Sequence, residues 1–198
     1  MERLSAFIRS KIDIPQETLS EIINHFEVRS VRKNRYLIRQ GQYMNYYYFV
    51  NSGGLRVYLE HDDRAFTAWM SFENNFIVDI ASISLRQPSI YNIQAIEDTE
   101  LFAISCENMD MLYKKYNAWQ EFGRKLWENA FLEVVTEMVG HQTLSAEERY
   151  LKFMERSEIM QRIPLKQLSS FLGITPTSLS RIRKNLQHRT DPDQGDRY

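Results

Sequence analysis

Apolar positions change their period twice along this chain. In the first 27 residues Leu19, Ile22, Ile23 and Phe26 recur at i, i+3, i+4 and i+7, the spacing of one helix face. Leu4, Phe7 and Ile8 predict a shorter helix before it, and Pro15 stands where a first-turn proline is tolerated. Near residue 35 the pattern shortens. Segments 36–40, 46–50, 55–60, 65–72, 91–96 and 100–105 are short and rich in aromatic and β-branched residues. Turn chemistry separates them, including Gly41-Gln42, Asn51-Ser52-Gly53-Gly54, Glu73-Asn74-Asn75 and Gln87-Pro88-Ser89. Strands at that spacing predict an antiparallel barrel, sandwich or roll. In 55–60 the alternation places Leu55, Val57 and Leu59 inward and Arg56, Tyr58 and Glu60 outward.

From about Asn108 the period returns to 3.6, and the proline-free segment to Val139 is expected to form one long helix. Phe131, Leu132, Val134, Val135, Met138 and Val139 cover an arc of about 160° on its wheel, wider than the ~100° stripe that one neighbour requires. Trp119, Phe122, Leu126 and Ala130 occupy an adjacent sector. Burial within one domain would account for such a helix. Its own sheet on one side and a second copy of the helix on the other account for it better, and a homodimer through 108–140 is the expectation. After Gly140, Ser145-Ala146-Glu147-Glu148 fits a capped helix start, with Tyr150, Leu151, Phe153 and Met154 inward. From His188 to Tyr198 a frayed polar tail is expected.

Residues 164–186 carry the most specific pattern. Leu165, Leu168 and Leu172 point inward from a short helix, Gly173 makes a tight turn, and Ile174 plugs the angle. Thr175 caps a second helix, Pro176 occupies its first turn, and Leu179, Ile182 and Leu186 form its inner stripe. This is the layout of a helix-turn-helix. Left outside are Thr175, Thr177, Ser178 and Arg181, placed to reach bases or phosphates, and Lys166, Arg183, Lys184 and His188, placed for the backbone of double-stranded DNA.

Charge supports that reading. The chain of 198 residues has a net charge of −1, yet 162–189 holds six basic residues and no acid, while 1–161 holds 18 basic and 23 acidic residues. A local basic segment in an acidic chain is the footprint of an anionic polymer or a solvated basic face, and charge by itself leaves both open. Apolar residues make up 43% and charged residues 26%, a globular balance. No apolar run approaches the ~18 residues of a membrane span, and the N-terminus lacks a signal-peptide core, so a cytoplasmic protein without membrane partners is expected. Cys106 stands alone, which excludes an internal disulfide and a four-thiolate iron–sulfur cluster within one chain. His25, His61, His141 and His188 lack metal-ligand spacing, so no metal site is expected. No nucleophile–base pair or phosphate-cradling loop points to an enzyme, and no catalytic residue is assigned.

These residues resemble the Crp/Fnr family of transcription regulators over nearly the whole chain. Residues 48–58, Tyr-Phe-Val-Asn-Ser-Gly-Gly-Leu-Arg-Val-Tyr, look like the strand, glycine turn and strand of the cyclic-nucleotide-binding roll. Glu73-Asn74-Asn75-Phe76-Ile77 looks like the strand entering its phosphate cassette, and Glu148-Arg149-Tyr150-Leu151 like the start of its DNA-binding domain. Residues 168–186 resemble its helix-turn-helix, with Thr177 and Arg181 at base-contacting positions.

The resemblance implies an α+β fold. Residues 1–107 would form a sensor domain, an antiparallel β-roll of the jelly-roll (double-stranded β-helix) type flanked by helices. Residues 108–140 would be a dimerisation helix, and 141–198 an all-α helix-turn-helix domain. It makes RNA polymerase a candidate partner.

Two departures matter. Cyclic-nucleotide binders carry Gly-Glu after the Phe-Ile pair and then an Arg-Ser/Thr-Ala triplet, whose glutamate and arginine hold the ribose and the cyclic phosphate. Here Val78-Asp79 and Ser89-Ile90-Tyr91 stand in their place. Loss of that arginine costs about 1.5–3 kcal/mol, roughly ten- to a hundredfold in affinity. Cyclic AMP is therefore not expected as the effector, and haem lacks an evident pair of axial ligands. Another small molecule near Asp79, Ile80, Ser82, Ser89, Ile90 and Tyr91, or no ligand, is expected instead. The family's two-stranded wing is also missing, since 189–196 has no strand pattern. A ligand-binding or protein-interaction module with a vestigial helix-turn-helix is the alternative.

Overall fold

The structure is a computed structural model. It describes residues 1–190 apart from Asp63 and Arg156 and, for Ser157 and residues 187–190, the backbone only. The chain divides into a unit spanning Met1–Met138 and a unit that begins at Val139.

In the first unit, α1 (Glu2–Lys11) buries Leu4 and Ile8, and α2 (Gln16–Ile23) buries Leu19 and Ile22. Pro15 is the N-cap of α2, its fixed φ of −59° leading into the helix. The strands are β1 (Glu27–Val31), β2 (Tyr36–Ile38), β3 (Tyr46–Ser52), β4 (Leu55–His61), β5 (Arg64–Ser71), β6 (Phe76–Ile77), β7 (Asn92–Ala95) and β8 (Thr99–Ser105). They form two antiparallel four-stranded sheets, ordered β1-β8-β3-β6 and β2-β7-β4-β5. The sequence pattern missed β1. Glu27-Val-Arg-Ser-Val31 is exposed and charged, and it is a strand because β8 supplies its partners along an edge.

Strand alternation divides the apolar side chains between two cores. Tyr48, Val50, Leu101 and Ala103 face Leu55, Ile93, Ala95 and Ile38 of the other sheet and fill the roll. Tyr47, Phe49, Phe102 and Ile104 face the helices, where Phe49 meets Phe7 at 5.3 Å and stacks on Phe102 at 6.3 Å. Between β3 and β4, Gly53 has φ +93°, and a Cβ there would lie 2.6 Å from the Asp98 carbonyl oxygen, so the turn needs glycine.

Two expectations for this unit fail. Arg56 and Tyr58 do not face solvent: they are 8% and 4% exposed. The Arg56 Nε donates to Thr67 Oγ1 at 2.8 Å, and the Tyr58 hydroxyl lies 3.0 Å from that of Tyr36, so each side chain has a polar partner on the sheet's second face. The long helix is also broken. It forms α4 (Cys106–Lys115) and α5 (Asn117–Thr143), separated by Tyr116 in an extended conformation (φ −126°, ψ 115°). No proline or glycine marks the break. The Tyr116 hydroxyl donates to the Glu21 carboxylate on α2, and Trp119 is fully buried with its Nε1 donating to Met109 Sδ at 3.2 Å. Tertiary contacts override a helix-permissive sequence. Farther along, α5 leaves its apolar side chains in the open: Phe131 is 69%, Leu132 61% and Val134 53% exposed.

In the second unit, α6 (Ala146–Met154) opens with the expected capping box: Ser145 Oγ accepts from the Glu148 amide, and the Glu148 carboxylate accepts from the Ser145 amide. Tyr150 is buried, whereas Leu151 and Met154, expected to point inward, are exposed. A short α7 (Ser157–Met160), α8 (Leu165–Phe171) and α9 (Pro176–Thr190) follow. Leu165 is exposed at the first position of α8, whereas Leu168, Leu172 and Leu179 are buried. The helix runs on through His188 to Thr190, where a frayed tail was expected. The rest of that tail, with most of the segment lacking a wing pattern, lies outside the described residues.

Candidate functional site

The sequence points to two places: a cassette in the first unit and a helical corner in the second. The cassette follows β6. Asp79 is the N-cap of α3 (Ile80–Leu85), a helix absent from the sequence pattern, and its Oδ1 accepts from the Ser82 amide at 3.2 Å. Arg86 closes the helix in a left-handed conformation with φ +50°. The Ser82 hydroxyl accepts from the Met44 amide at 2.9 Å, and the Asp79 amide donates to Met44 Sδ at 3.0 Å. Ser89 pairs through its backbone with Gly41 and Gln42, while its hydroxyl accepts from the Tyr91 amide and donates to the Tyr91 carbonyl, each at 3.1 Å. These bonds tie the cassette to the β2–β3 loop.

Of the six residues expected to bind a ligand, Asp79, Ser82 and Ser89 are buried, Tyr91 is half-buried, and Ile80 and Ile90 point outward. Most of their polar capacity is spent locally. The exceptions are Asp79 Oδ2 and, in the roll interior, Ser71 Oγ, both buried without a hydrogen-bond partner among the described residues. The sequence reading did not single out Ser71. Among the described residues, no group of three or more His, Cys, Asp or Glu side chains could hold a metal ion.

In the corner, α8 ends at Leu172, and Gly173 turns the chain at φ +68°. Thr175 caps α9, its Oγ1 accepting from the Ser178 amide at 3.1 Å, with Pro176 as the first helical residue. Arg149 of α6 braces the turn: its guanidinium donates to the Leu172 carbonyl at 3.0 Å and to the Leu144 carbonyl at 2.6 Å. Lys166, Thr175, Thr177, Arg181 and Lys184 are exposed, and Ser178 is half-buried. Arg183 stands apart from that group. Its Nε donates to the Tyr150 hydroxyl at 3.1 Å and its guanidinium lies 5.7 Å from the Tyr150 ring, which fastens α9 to α6. The side chain of His188 lies outside the described residues.

The comparisons divide along the same line. Residues 28–116 match the family model of the cyclic nucleotide-binding domain. That match spans the roll and α4. No curated protein sequence matches the chain. Solved structures match across both units. The c-di-GMP responsive global regulator CLP of Xanthomonas campestris aligns over 89% of this chain and 93% of its own, at 17% identity and a TM-score of 0.68. FixK2 of Bradyrhizobium japonicum aligns over 83% and 86%, at 17% identity and a TM-score of 0.70. A protein assigned to the crp/fnr family of transcriptional regulators from Eubacterium rectale aligns over 89% and 85%, at 20% identity and a TM-score of 0.67. At these identities the likeness is one of fold: a cyclic-nucleotide-binding-type roll, a long helix and C-terminal helices. No helix among the described residues is long and apolar enough to cross a membrane.

Proposed function

We propose that this protein is a DNA-binding transcription regulator of the Crp/Fnr type, acting as a homodimer. The observation that carries the reading is the α8–turn–α9 corner, in which glycine, cap and buried leucines fix a helix whose outer face offers Thr177, Arg181 and Lys184. From 162 to 190 no acidic residue opposes them. Arg181 has the two-donor fork that reads a guanine edge, and Lys166 and Lys184 supply phosphate contacts. The exposed stripe of Phe131, Leu132, Val134 and Met138 supports pairing of two α5 helices, since an apolar stripe of that kind is rarely left in water.

The roll supports an effector other than a cyclic nucleotide, or none. Ser89 stands where a phosphate-binding arginine would, and Asp79 would bring a second negative charge to the phosphate. No iron–sulfur cluster, haem or catalytic activity belongs to this reading.

Gel-shift assays against genomic fragments at low salt test it. Specific shifts are expected, with Arg181→Ala weakening them by about ten- to a hundredfold. Shifts that are absent, or indifferent to Arg181, favour the interaction module with a vestigial corner. Sedimentation of Val134→Glu tests the dimer: a monomer is expected where the unaltered chain is a dimer.

A further inference from the structure

The sheet β2-β7-β4-β5 has a second face that neither the roll interior nor the cassette uses. Leu55, Ile93 and Ala95 point into the roll. Their neighbours Arg56, Tyr58 and Gln94 therefore point the other way, and register places Tyr36 opposite Gln94 and Thr67 opposite Tyr58 on that same face.

Two guanidinium–phenol stacks meet there. Arg39 lies 4.0 Å from the Tyr36 ring centroid and Arg56 lies 4.2 Å from that of Tyr58. The two phenol hydroxyls touch at 3.0 Å. One proton is shared between them and the other remains to donate outward. Arg56 is more than nine-tenths buried, yet no carboxylate forms an ion pair with it among the described residues. Its hydrogen-bond and ring partners among the described residues are the Thr67 hydroxyl and the Tyr58 ring. A buried guanidinium without a counter-ion is costly and calls for a reason.

The flanking chain is basic too. Residues 28–40 hold Arg29, Arg32, Lys33, Arg35 and Arg39 and no acid, inside a unit that is otherwise rich in acids. Glu60, on the same face of β4, is the nearby acid, and it is exposed.

We propose that this face is an oxyanion site, where Arg56 and Arg39 hold a phosphate or carboxylate group of a small ligand and the Tyr36–Tyr58 hydroxyl pair donates to it. Contact with the phenol rings holds both guanidiniums in place, and with the Nε of Arg56 spent on Thr67 its two Nη groups remain as donors, a pair that matches a carboxylate or a phosphate. The site is separate from the cassette and does not depend on the DNA-binding reading.

Calorimetry on the intact protein at low ionic strength, with inorganic pyrophosphate and with citrate as probes, tests the proposal. Saturable binding of one probe per chain is expected at a Kd of about 1 mM or tighter. Pyrophosphate binding assigns a phosphorylated ligand and citrate binding a carboxylic acid. Arg39→Gln, on an exposed side chain, is expected to weaken binding about tenfold or more. Arg124→Gln, at an exposed arginine paired with Glu128 on α5, is expected to leave it unchanged. Arg56→Met is expected to abolish binding while Tm stays level or rises, because an unpaired buried charge is removed. The proposal is overturned if neither probe binds saturably, if Arg39→Gln binds as well as the unaltered chain, or if Arg124→Gln weakens binding equally. A lower Tm for Arg56→Met with binding intact assigns Arg56 to packing and also overturns it.

Discussion

In the cassette, Ser82 accepts from Met44, Ser89 closes on Tyr91 and Asp79 caps its own helix. On α9, Thr177, Arg181 and Lys184 stand in the open, and none of them takes part in an ion pair or side-chain hydrogen bond among the described residues. The first region turns its polar groups on itself, and the second presents them outward. The difference shows how a ligand site and a docking face are told apart. A small-molecule site needs buried polar groups with spare capacity, and here that capacity is reduced to Asp79 Oδ2 and Ser71 Oγ. On the proposed reading, a docking face for a duplex needs only that the apolar side of the helix be anchored, and Leu179 on α9 is buried.

The contrast can be broken at its anchor. Leu179→Ala is expected to cost the unit beginning at Val139 about 2–5 kcal/mol and to abolish DNA binding, read by thermal melting and gel shift. Binding that survives intact would mean that α9 is not the docking element. The next test asks whether the cassette is as unsuited to a cyclic phosphate as its residues imply. Calorimetry with cyclic AMP and cyclic GMP should show no binding at micromolar concentration, a deficit of about 1.5–3 kcal/mol against a site holding an arginine. Micromolar affinity would overturn the effector reading.

Smaller effects sharpen the comparison. Ser82→Ala leaves the Met44 amide without its acceptor and should destabilise the roll by about 1–3 kcal/mol, while DNA affinity per folded molecule stays unchanged. Ser145→Ala removes one half of the capping box and should cost about 1 kcal/mol of helix stability. The box also fixes a pH dependence. Hydrogen bonds from the Ser145 side chain and backbone hold the Glu148 carboxyl below its ordinary range. Its contribution is therefore present above the ordinary glutamate pKa and is lost as pH falls through the lowered folded-state value. A stability loss in mild acid that is smaller in Ser145→Ala than in the unaltered chain is the expected signature, read by thermal melts across that range.

Much of this molecule was legible in the chain because its signals are local. The α8–turn–α9 corner was readable residue by residue: Gly173 supplies a left-handed turn, Thr175 a cap, and Leu168, Leu172 and Leu179 a buried stripe, all within twelve positions. The Ser145–Glu148 box was equally plain, and six of the eight strands announced themselves by aromatic and β-branched runs. What failed was what depends on distant partners. Strand β1 is a strand because β8 lies beside it, and α3 forms because Asp79 caps it and Ser82 is held by Met44.

The break at Tyr116 and the coverage of Arg56 and Tyr58 belong to the same kind. No local rule stops a helix at Tyr116; Glu21, 95 residues earlier, and the buried Trp119 stop it there. No alternation pattern shows that an arginine and a tyrosine on an outward face will be covered, because Tyr36 and Thr67 reach them from other strands. Sequence alone determined the elements whose backbone and capping preferences are satisfied within a few residues. Tertiary structure decided where polar groups ended up, because a hydrogen bond or a stack binds whichever partner the fold brings near, regardless of its distance along the chain.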